Sequence, residues 1–116
     1  MKDNLLYIQH ILDEIDYLNS LRPTITYDNL LNDKTTEHAV TRSLEIIGEA
    51  AKNVPVKIRK ENPGIPWKFM AGIRDKVIHG YFAINYEIVW DVIQHKLPEL
   101  EPEIRSLLDS MRREEN

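Results

Sequence analysis

The sequence predicts an all-α fold, an antiparallel bundle of four to five main helices that forms a single domain over residues 1–116. Apolar residues recur at spacings of three and four along most of the chain, which places them on one face of a helix. No segment shows the alternation of apolar and polar residues that is typical of a strand. The connections between the periodic segments are short, as is typical of helices that pack antiparallel to their neighbours.

The first half of the chain contains two long predicted helices. The first spans about residues 4–20, and a short helical turn is predicted at 27–31. The second long helix begins at a cap on Thr35 or Thr36 and extends to about Lys52. The residues predicted to face inward are Leu5, Ile8, Ile11, Leu12, Ile15 and Leu18 in the first helix, and Val40, Leu44, Ile47 and Ala51 in the second.

A short basic helix at 55–61 and a longer helix at about 66–79 are predicted next. The longer helix begins at Pro66, because the missing N–H of proline would have no partner in a first turn. It ends at Gly80, because glycine adopts the left-handed conformation of a C-terminal cap without steric cost.

Prolines delimit the last two predicted helices. Asn85 caps a helix of about 86–97. Pro98 and Pro102 mark the turn after it and the start of a last helix, which extends to about Arg113. The residues predicted to face inward in this half are Trp67, Met70, Ile73, Val77 or Ile78, Ile88 or Val89, Val92, Ile93, Leu97, Ile104, Leu107, Leu108 and Met111.

The composition excludes several kinds of site and favours one location. The chain has no cysteine, so disulfides and thiolate zinc sites are excluded and a reducing compartment fits best. No apolar run approaches the roughly 20 residues that span a bilayer. The N-terminus is apolar only periodically and carries four acids, which is unlike a signal peptide. We therefore expect a cytoplasmic protein without a membrane contact.

The net charge of −4 is unevenly distributed along the chain. Residues 52–76 carry a balance of +5, whereas the segments on both sides are acidic. A basic segment between acidic flanks can meet phosphate groups locally. It can also be an ordinary solvated surface, and charge alone does not decide between the two.

Histidine is the side chain best suited to moving protons near neutral pH, and the chain has four. His10 and His38 lie in predicted helices without a second ligand type nearby. His95 follows Asp91 by four residues, which suits a hydrogen bond on a helix surface. None has the spacing of a metal motif such as His-Glu-x-x-His, so no metal site is expected.

His79 differs from the other histidines because Arg74 precedes it by five residues and Tyr81 follows it by two. Cleavage of RNA by its own 2′-hydroxyl needs a base, an acid and a cation that stabilises the phosphorane. Histidine can transfer the proton and arginine binds phosphate oxygens, so this trio suits the reaction. The spacing also fits a structural role, in which Arg74 pairs with a surface carboxylate, His79 ends the helix and Tyr81 packs on the bundle rim.

The motif Arg74-x4-His79-x-Tyr81 resembles the signature of HEPN-domain ribonucleases and, among them, of the HepT-like toxins. Ile65-Pro66-Trp67 and Ala71-Gly72-Ile73 lead into the motif as they do in that family. The resemblance extends upstream to the helix at 39–50 and downstream to the segments at 88–93 and 97–98. It covers about residues 5–110.

The resemblance implies a bundle-shaped homodimer that acts as a metal-independent endoribonuclease and toxin, without a cofactor. By position, Arg74 would stabilise the phosphorane and His79 would transfer the proton at the dimer cleft. Asp75 would support the site, although the family often has asparagine there and a carboxylate repels phosphate. The candidate RNA-binding residues are Arg42, Lys68 and Lys76.

The resemblance also implies a partner, a minimal nucleotidyltransferase antitoxin of the MntA kind. That partner silences the toxin by transferring AMP to the motif tyrosine, here Tyr81. The added bulk and charge would block the cleft and repel RNA. The alternative is a non-catalytic helical module that binds a nucleotide or a partner through the same cleft. The intact Arg74 and His79 favour the enzyme.

Overall fold

The computed structural model describes residues 2–79 and 83–115, and within them the chain is almost entirely helical. The α-helices are α1 Lys2–Leu21, α2 Tyr27–Asn32, α3 Lys34–Asn53, α4 Val56–Glu61, α5 Trp67–Ala71, α6 Ile73–Val77, α7 Tyr86–Asp91 and α8 Leu97–Glu115. A 3₁₀ turn at Arg22–Thr24 follows α1, and a π-helical turn at Val92–Lys96 joins α7 to α8. The predicted all-α fold is confirmed.

The core lies between the three long helices, because α1 packs against both α3 and α8. The predicted inward faces of these helices are buried, apart from Leu5 and Met111 at the two ends, which are partly buried against the core. Val40, Leu44 and Ile47 on α3 have no exposed surface. The predicted short helices at 27–31 and 55–61 are confirmed as α2 and α4.

The N-cap of α3 lies two to three residues earlier than the predicted cap at Thr35 or Thr36. Asp33 occupies the cap position, and Thr36 lies inside the helix and donates a hydrogen bond of 2.6 Å from its hydroxyl to Asp33 Oδ2. This hydrogen bond is the main cause of a lowered pKa of the Asp33 carboxyl. Thr36 therefore lies in the first turn of α3, where its hydroxyl donates to the capping Asp33, and it does not cap the helix itself.

The predicted break at Pro98 is wrong, because α7, the π turn and α8 form one uninterrupted helical run. Pro98 has no N–H, and in a regular α-helix its ring would collide with the carbonyl four residues earlier. The chain inserts a π turn just before it, in which the Leu97 N–H donates to the Val92 carbonyl. The wider turn lets the helix continue through Pro98. Pro102 was predicted to mark the start of the last helix, but it lies inside α8.

The predicted helix at 66–79 is wrong in two respects. It is divided at Gly72 into α5 and α6, and it ends at Val77 rather than at Gly80. Gly80 itself lies outside the described residues. Beyond Val77 the backbone is extended, and the two-residue strands β1 Ile78–His79 and β2 Ala83–Ile84 pair in antiparallel register.

Two hydrogen bonds of Asn85 connect the β1–β2 ladder to the neighbouring helices. The Asn85 N–H donates to the Val77 carbonyl at 2.7 Å, which ties the end of α6 to the start of α7. The Asn85 side chain accepts from the Ile88 N–H at 3.1 Å, as predicted for an N-cap. No helix within residues 2–79 and 83–115 is long and apolar enough to cross a membrane.

Candidate functional site

Close packing at Gly48 sets α5 and α6 against α3. A Cβ atom at Gly48 would lie 3.3 Å from the Met70 carbonyl oxygen and 3.4 Å from Ile73 Cγ2. The absence of a side chain therefore lets the backbone of the α5–α6 segment approach the α3 helix. Because Arg74 directly follows the buried Ile73, this approach also brings Arg74 beside α3.

Arg74 forms an ion pair with Glu45 on α3. Its Nε–H donates to Glu45 Oε2 at 3.3 Å, and the two side chains are 54% and 31% exposed. The contact uses Nε, and within the described residues the two terminal nitrogens of the guanidinium make no hydrogen bond or ion pair. An exposed arginine with two available N–H₂ groups can form a bidentate contact with a phosphate.

His79 and Tyr81 are only partly covered by the structure. The backbone of His79 lies in β1 and pairs with Ala83, but its side chain and all of Tyr81 fall outside the described residues. The motif therefore does not lie on one helix, because α6 ends at Val77. The chain becomes extended after Val77, so the relative direction of the Arg74 and His79 side chains is not set by the geometry of a helix.

The candidate RNA-binding residues lie on different surfaces. Arg42 precedes Glu45 by three residues on α3, so both lie on one helical face. Lys76 is two residues from Arg74, about 200° around α6, and its ammonium lies 5.2 Å from the centre of the Phe69 ring. Lys68 is exposed on α5. Arg42 therefore lies on the Arg74 side of the molecule and Lys76 does not.

Asp75 is exposed in the first turn of α6, next to Arg74 in sequence. Successive residues on a helix are about 100° apart, so its carboxylate does not share the direction of the Arg74–Glu45 pair. Asp75 is thus placed at the edge of the surface that carries Arg74.

A surface pocket of about 210 Å³ lies between α1 and α3, and Glu45 forms part of its wall. The other residues around it are Tyr7, His10, Arg42, Ile46, Glu49, Ala50 and Asn53. Among these residues only Arg42 is predicted from the sequence to bind RNA. His10 has no predicted role there, and the sequence alone does not identify Glu45 or Glu49. The available signal was the spacing of Arg42, Glu45 and Glu49 on the outer face of α3, away from its buried stripe.

His38 and His95 do not contribute to the pocket beside Glu45. His38 Nε2 lies 3.3 Å from a carboxylate oxygen of the adjacent Glu37, and His95 is exposed in the π turn. The described part of the chain contains no group of three or more His, Asp or Glu side chains that could hold a metal ion. A larger cavity in that part, about 580 Å³ between α1, α4 and the end of α8, contains none of the predicted site residues.

Comparisons with known proteins agree with this architecture. The family model "Ribonuclease HepT-like" matches residues 11–107. A protein of Caldanaerobacter subterraneus subsp. tengcongensis named "Putative RNase" is 43% identical over 93% of this chain and 96% of its own length. A "Putative RNase" of Methanocaldococcus jannaschii is 44% identical over 93% of this chain and 86% of its own length.

A third relative carries the family name itself. The "Probable ribonuclease HepT" of Thermococcus cleftensis is 38% identical over 87% of this chain and 92% of its own length. No solved structure matches the chain significantly. The match to the family model over most of the chain, together with these relatives, shows that the chain belongs to the HepT-like ribonuclease family.

Proposed function

We propose that this chain is a metal-independent endoribonuclease in which Arg74 and His79 are the catalytic residues. The observation that supports it most is the Arg74 guanidinium, which Glu45 holds through Nε while the side chain stays 54% exposed. The family relationship supports ribonuclease activity, and the position of Arg74 supports a phosphate-binding role for it.

Arg74 would act on the transition state. When a 2′-hydroxyl attacks the neighbouring phosphorus, a pentavalent phosphorane with additional negative charge forms. The terminal nitrogens of Arg74 would donate two hydrogen bonds to its non-bridging oxygens. Because Glu45 already orients the guanidinium, little reorganisation is needed as the charge develops.

His79 would transfer protons in the same step. As a base, it accepts the proton of the 2′-hydroxyl while the new O–P bond forms. The P–O5′ bond breaks, and a proton donor protonates the leaving 5′-oxygen. One chain carries one His79, so we further propose a homodimer in which the second His79 serves as that donor. Full activity in a protein that is strictly monomeric would contradict this part.

We also propose that the protein is the toxin of a toxin–antitoxin pair whose partner is a nucleotidyltransferase of the MntA kind. The Tyr81 hydroxyl would attack the α-phosphorus of ATP, and diphosphate would leave, so that AMP becomes attached to the phenol oxygen. The modification adds bulk and negative charge two residues from His79, which would repel RNA from the cleft.

The modification has a direct test in intact mass. After incubation with such a nucleotidyltransferase and ATP, the parent should gain one AMP unit and lose ribonuclease activity. Tyr81→Phe should gain none and keep its activity. Addition of AMP to Tyr81→Phe, or undiminished cleavage by the modified parent, would contradict the proposed switch.

The ribonuclease itself is tested with a cleavable RNA oligonucleotide and its 2′-deoxy version. The parent should cleave the RNA to fragments with 2′,3′-cyclic phosphate and 5′-hydroxyl ends and leave the deoxy version intact. Arg74→Ala should lose this cleavage. Arg105→Ala removes another exposed, ion-paired arginine, on α8, and should keep it. Cleavage of the deoxy version, or equal activity of Arg74→Ala, would overturn the proposal.

A further inference from the structure

Glu45 connects the pocket between α1 and α3 to the proposed catalytic arginine. Glu45 forms part of the pocket wall and also accepts the hydrogen bond from Arg74. A group bound in the pocket would therefore lie next to whatever phosphate Arg74 holds. With a volume of about 210 Å³, the pocket is smaller than the roughly 300–1,000 Å³ of sites for drug-sized ligands. It suits a single planar ring system.

The α3 wall of the pocket carries both signs of charge. Arg42, Glu45 and Glu49 recur at spacings of three and four, so they line one face of the helix. Arg42 and Glu49 are seven positions apart, which corresponds to about 10 Å along the helix axis. A nucleotide can cover that distance from its phosphate to the edge of its base.

The two ends of this wall, at Arg42 and at Glu49, favour different chemical groups of a ligand. Within the described residues, Arg42 forms no ion pair with a carboxylate. The charge of Glu45, by contrast, is offset by Arg74. A phosphate is therefore favoured near Arg42, and a group that donates hydrogen bonds is favoured near Glu49.

The α1 wall adds an aromatic side chain and an imidazole. Tyr7 is partly buried and packs against the hydrophobic core, so its ring is held in place, and His10 is exposed. Unpaired RNA bases commonly stack on aromatic side chains while polar groups bind their Watson–Crick edges. The pocket thus combines a stacking surface, a cation and a hydrogen-bond acceptor within one nucleotide's reach.

We propose that this pocket is a base-binding subsite for single-stranded RNA, beside the cleaved phosphate. Arg42 binds a neighbouring phosphate, Tyr7 packs on the base and Glu49 accepts hydrogen bonds from its edge. A carboxylate only accepts, and the amino groups of adenine, cytosine and guanine donate to it. Uracil has a single donor on its edge, N3–H, and the carbonyl oxygens on both sides of it repel a carboxylate, so the subsite prefers the other three bases. The inference rests on the proposed ribonuclease function and adds a base preference to it.

Binding can be measured without cleavage by using short oligonucleotides of adenosine, cytidine or uridine in which every 2′-hydroxyl is methylated. In fluorescence anisotropy, the parent should bind the adenosine and cytidine oligonucleotides about tenfold more tightly than the uridine one. Glu49→Gln should bind all three with similar affinity, because an amide both donates and accepts. Glu103→Gln, an exposed carboxylate on α8, should keep the parent's preference. Arg42→Ala should weaken binding of all three equally.

Equal affinity of the parent for the three oligonucleotides, or an unchanged preference in Glu49→Gln, would overturn the subsite. So would variants at Arg42 and Glu49 that change dimerisation and leave RNA binding unaltered, since the pocket would then be a contact between two copies of the chain. The proposed ribonuclease is judged separately. A parent that cleaves RNA without base preference refutes only the subsite, whereas a parent that shows the preference without cleaving refutes only the enzyme.

Discussion

Replacing Glu45 with glutamine tests whether Arg74 must be held in place. The Arg74–Glu45 pair has a 3.3 Å contact between side chains that are 54% and 31% exposed, so solvent screens it and its contribution to folding is at most about 1 kcal/mol. A contact between the guanidinium and the charged transition state is worth about 1.5–3 kcal/mol. Complete loss of that contact would slow cleavage about 10- to 160-fold, which sets the upper limit for the effect of Glu45→Gln. We therefore expect Glu45→Gln to unfold nearly like the parent in urea but to have a much lower kcat/KM.

A matched control is available at the contact between α1 and α8. Asp16→Asn removes the negative charge from the 2.8 Å ion pair with Arg105, in which the Arg105 and Asp16 side chains are 47% and 44% exposed. Its effect on the free energy of unfolding should be as small as that of Glu45→Gln, and its kcat/KM should equal the parent's. If Glu45→Gln cleaved RNA at the parent's rate, or if Asp16→Asn were equally slow, Glu45 would not be the residue that positions Arg74 for cleavage.

Three further substitutions test the core, the cap and the charge beside the site. Leu44→Ala removes a side chain with 0% exposure and should lower the free energy of unfolding in urea by about 2–5 kcal/mol. An unchanged unfolding midpoint would contradict the place of Leu44 in the core. Asn85→Ala loses the 3.1 Å hydrogen bond from the Ile88 N–H and should lower the free energy of unfolding by about 1 kcal/mol. A decrease below measurement error would show that this cap does not stabilise the fold. Asp75→Asn should bind RNA more tightly, because it removes a carboxylate that repels phosphate. Unchanged affinity in anisotropy would place Asp75 away from the bound RNA.

Periodicity predicted the core well because burial of an apolar face decides where a long helix packs. The inward residues of α1, α3 and α8 were identifiable from their spacing alone. Local rules failed where tertiary structure provided another solution. Pro98 signalled a helix end, but a π turn removes the clash that makes proline a helix breaker, and the apolar face continues into α8. The same rules extended the helix at 66–79 past Val77, where pairing between β1 and β2 replaces helical hydrogen bonds.

Only part of the candidate site could be predicted from the sequence. Arg74 and His79 lie in one short motif, so a resemblance was enough to single them out. Glu45 is 29 positions from Arg74, and the sequence gives no indication that the two side chains meet. Their contact depends on the close approach of α6 to α3 at Gly48. The contribution of α1 to the adjoining pocket likewise arises from helix packing, which a pattern within one helix does not reveal.

The most direct test of the central claim is cleavage of total cellular RNA by the purified protein in excess EDTA. The parent and His79→Ala are compared with His95→Ala, which removes an exposed histidine from the π turn. The proposed function predicts cleavage by the parent and by His95→Ala, and none by His79→Ala. No cleavage by folded parent protein with unmodified Tyr81 would contradict the ribonuclease and favour a non-catalytic binding module. Equal cleavage by His79→Ala would contradict the assignment of the proton-transfer group.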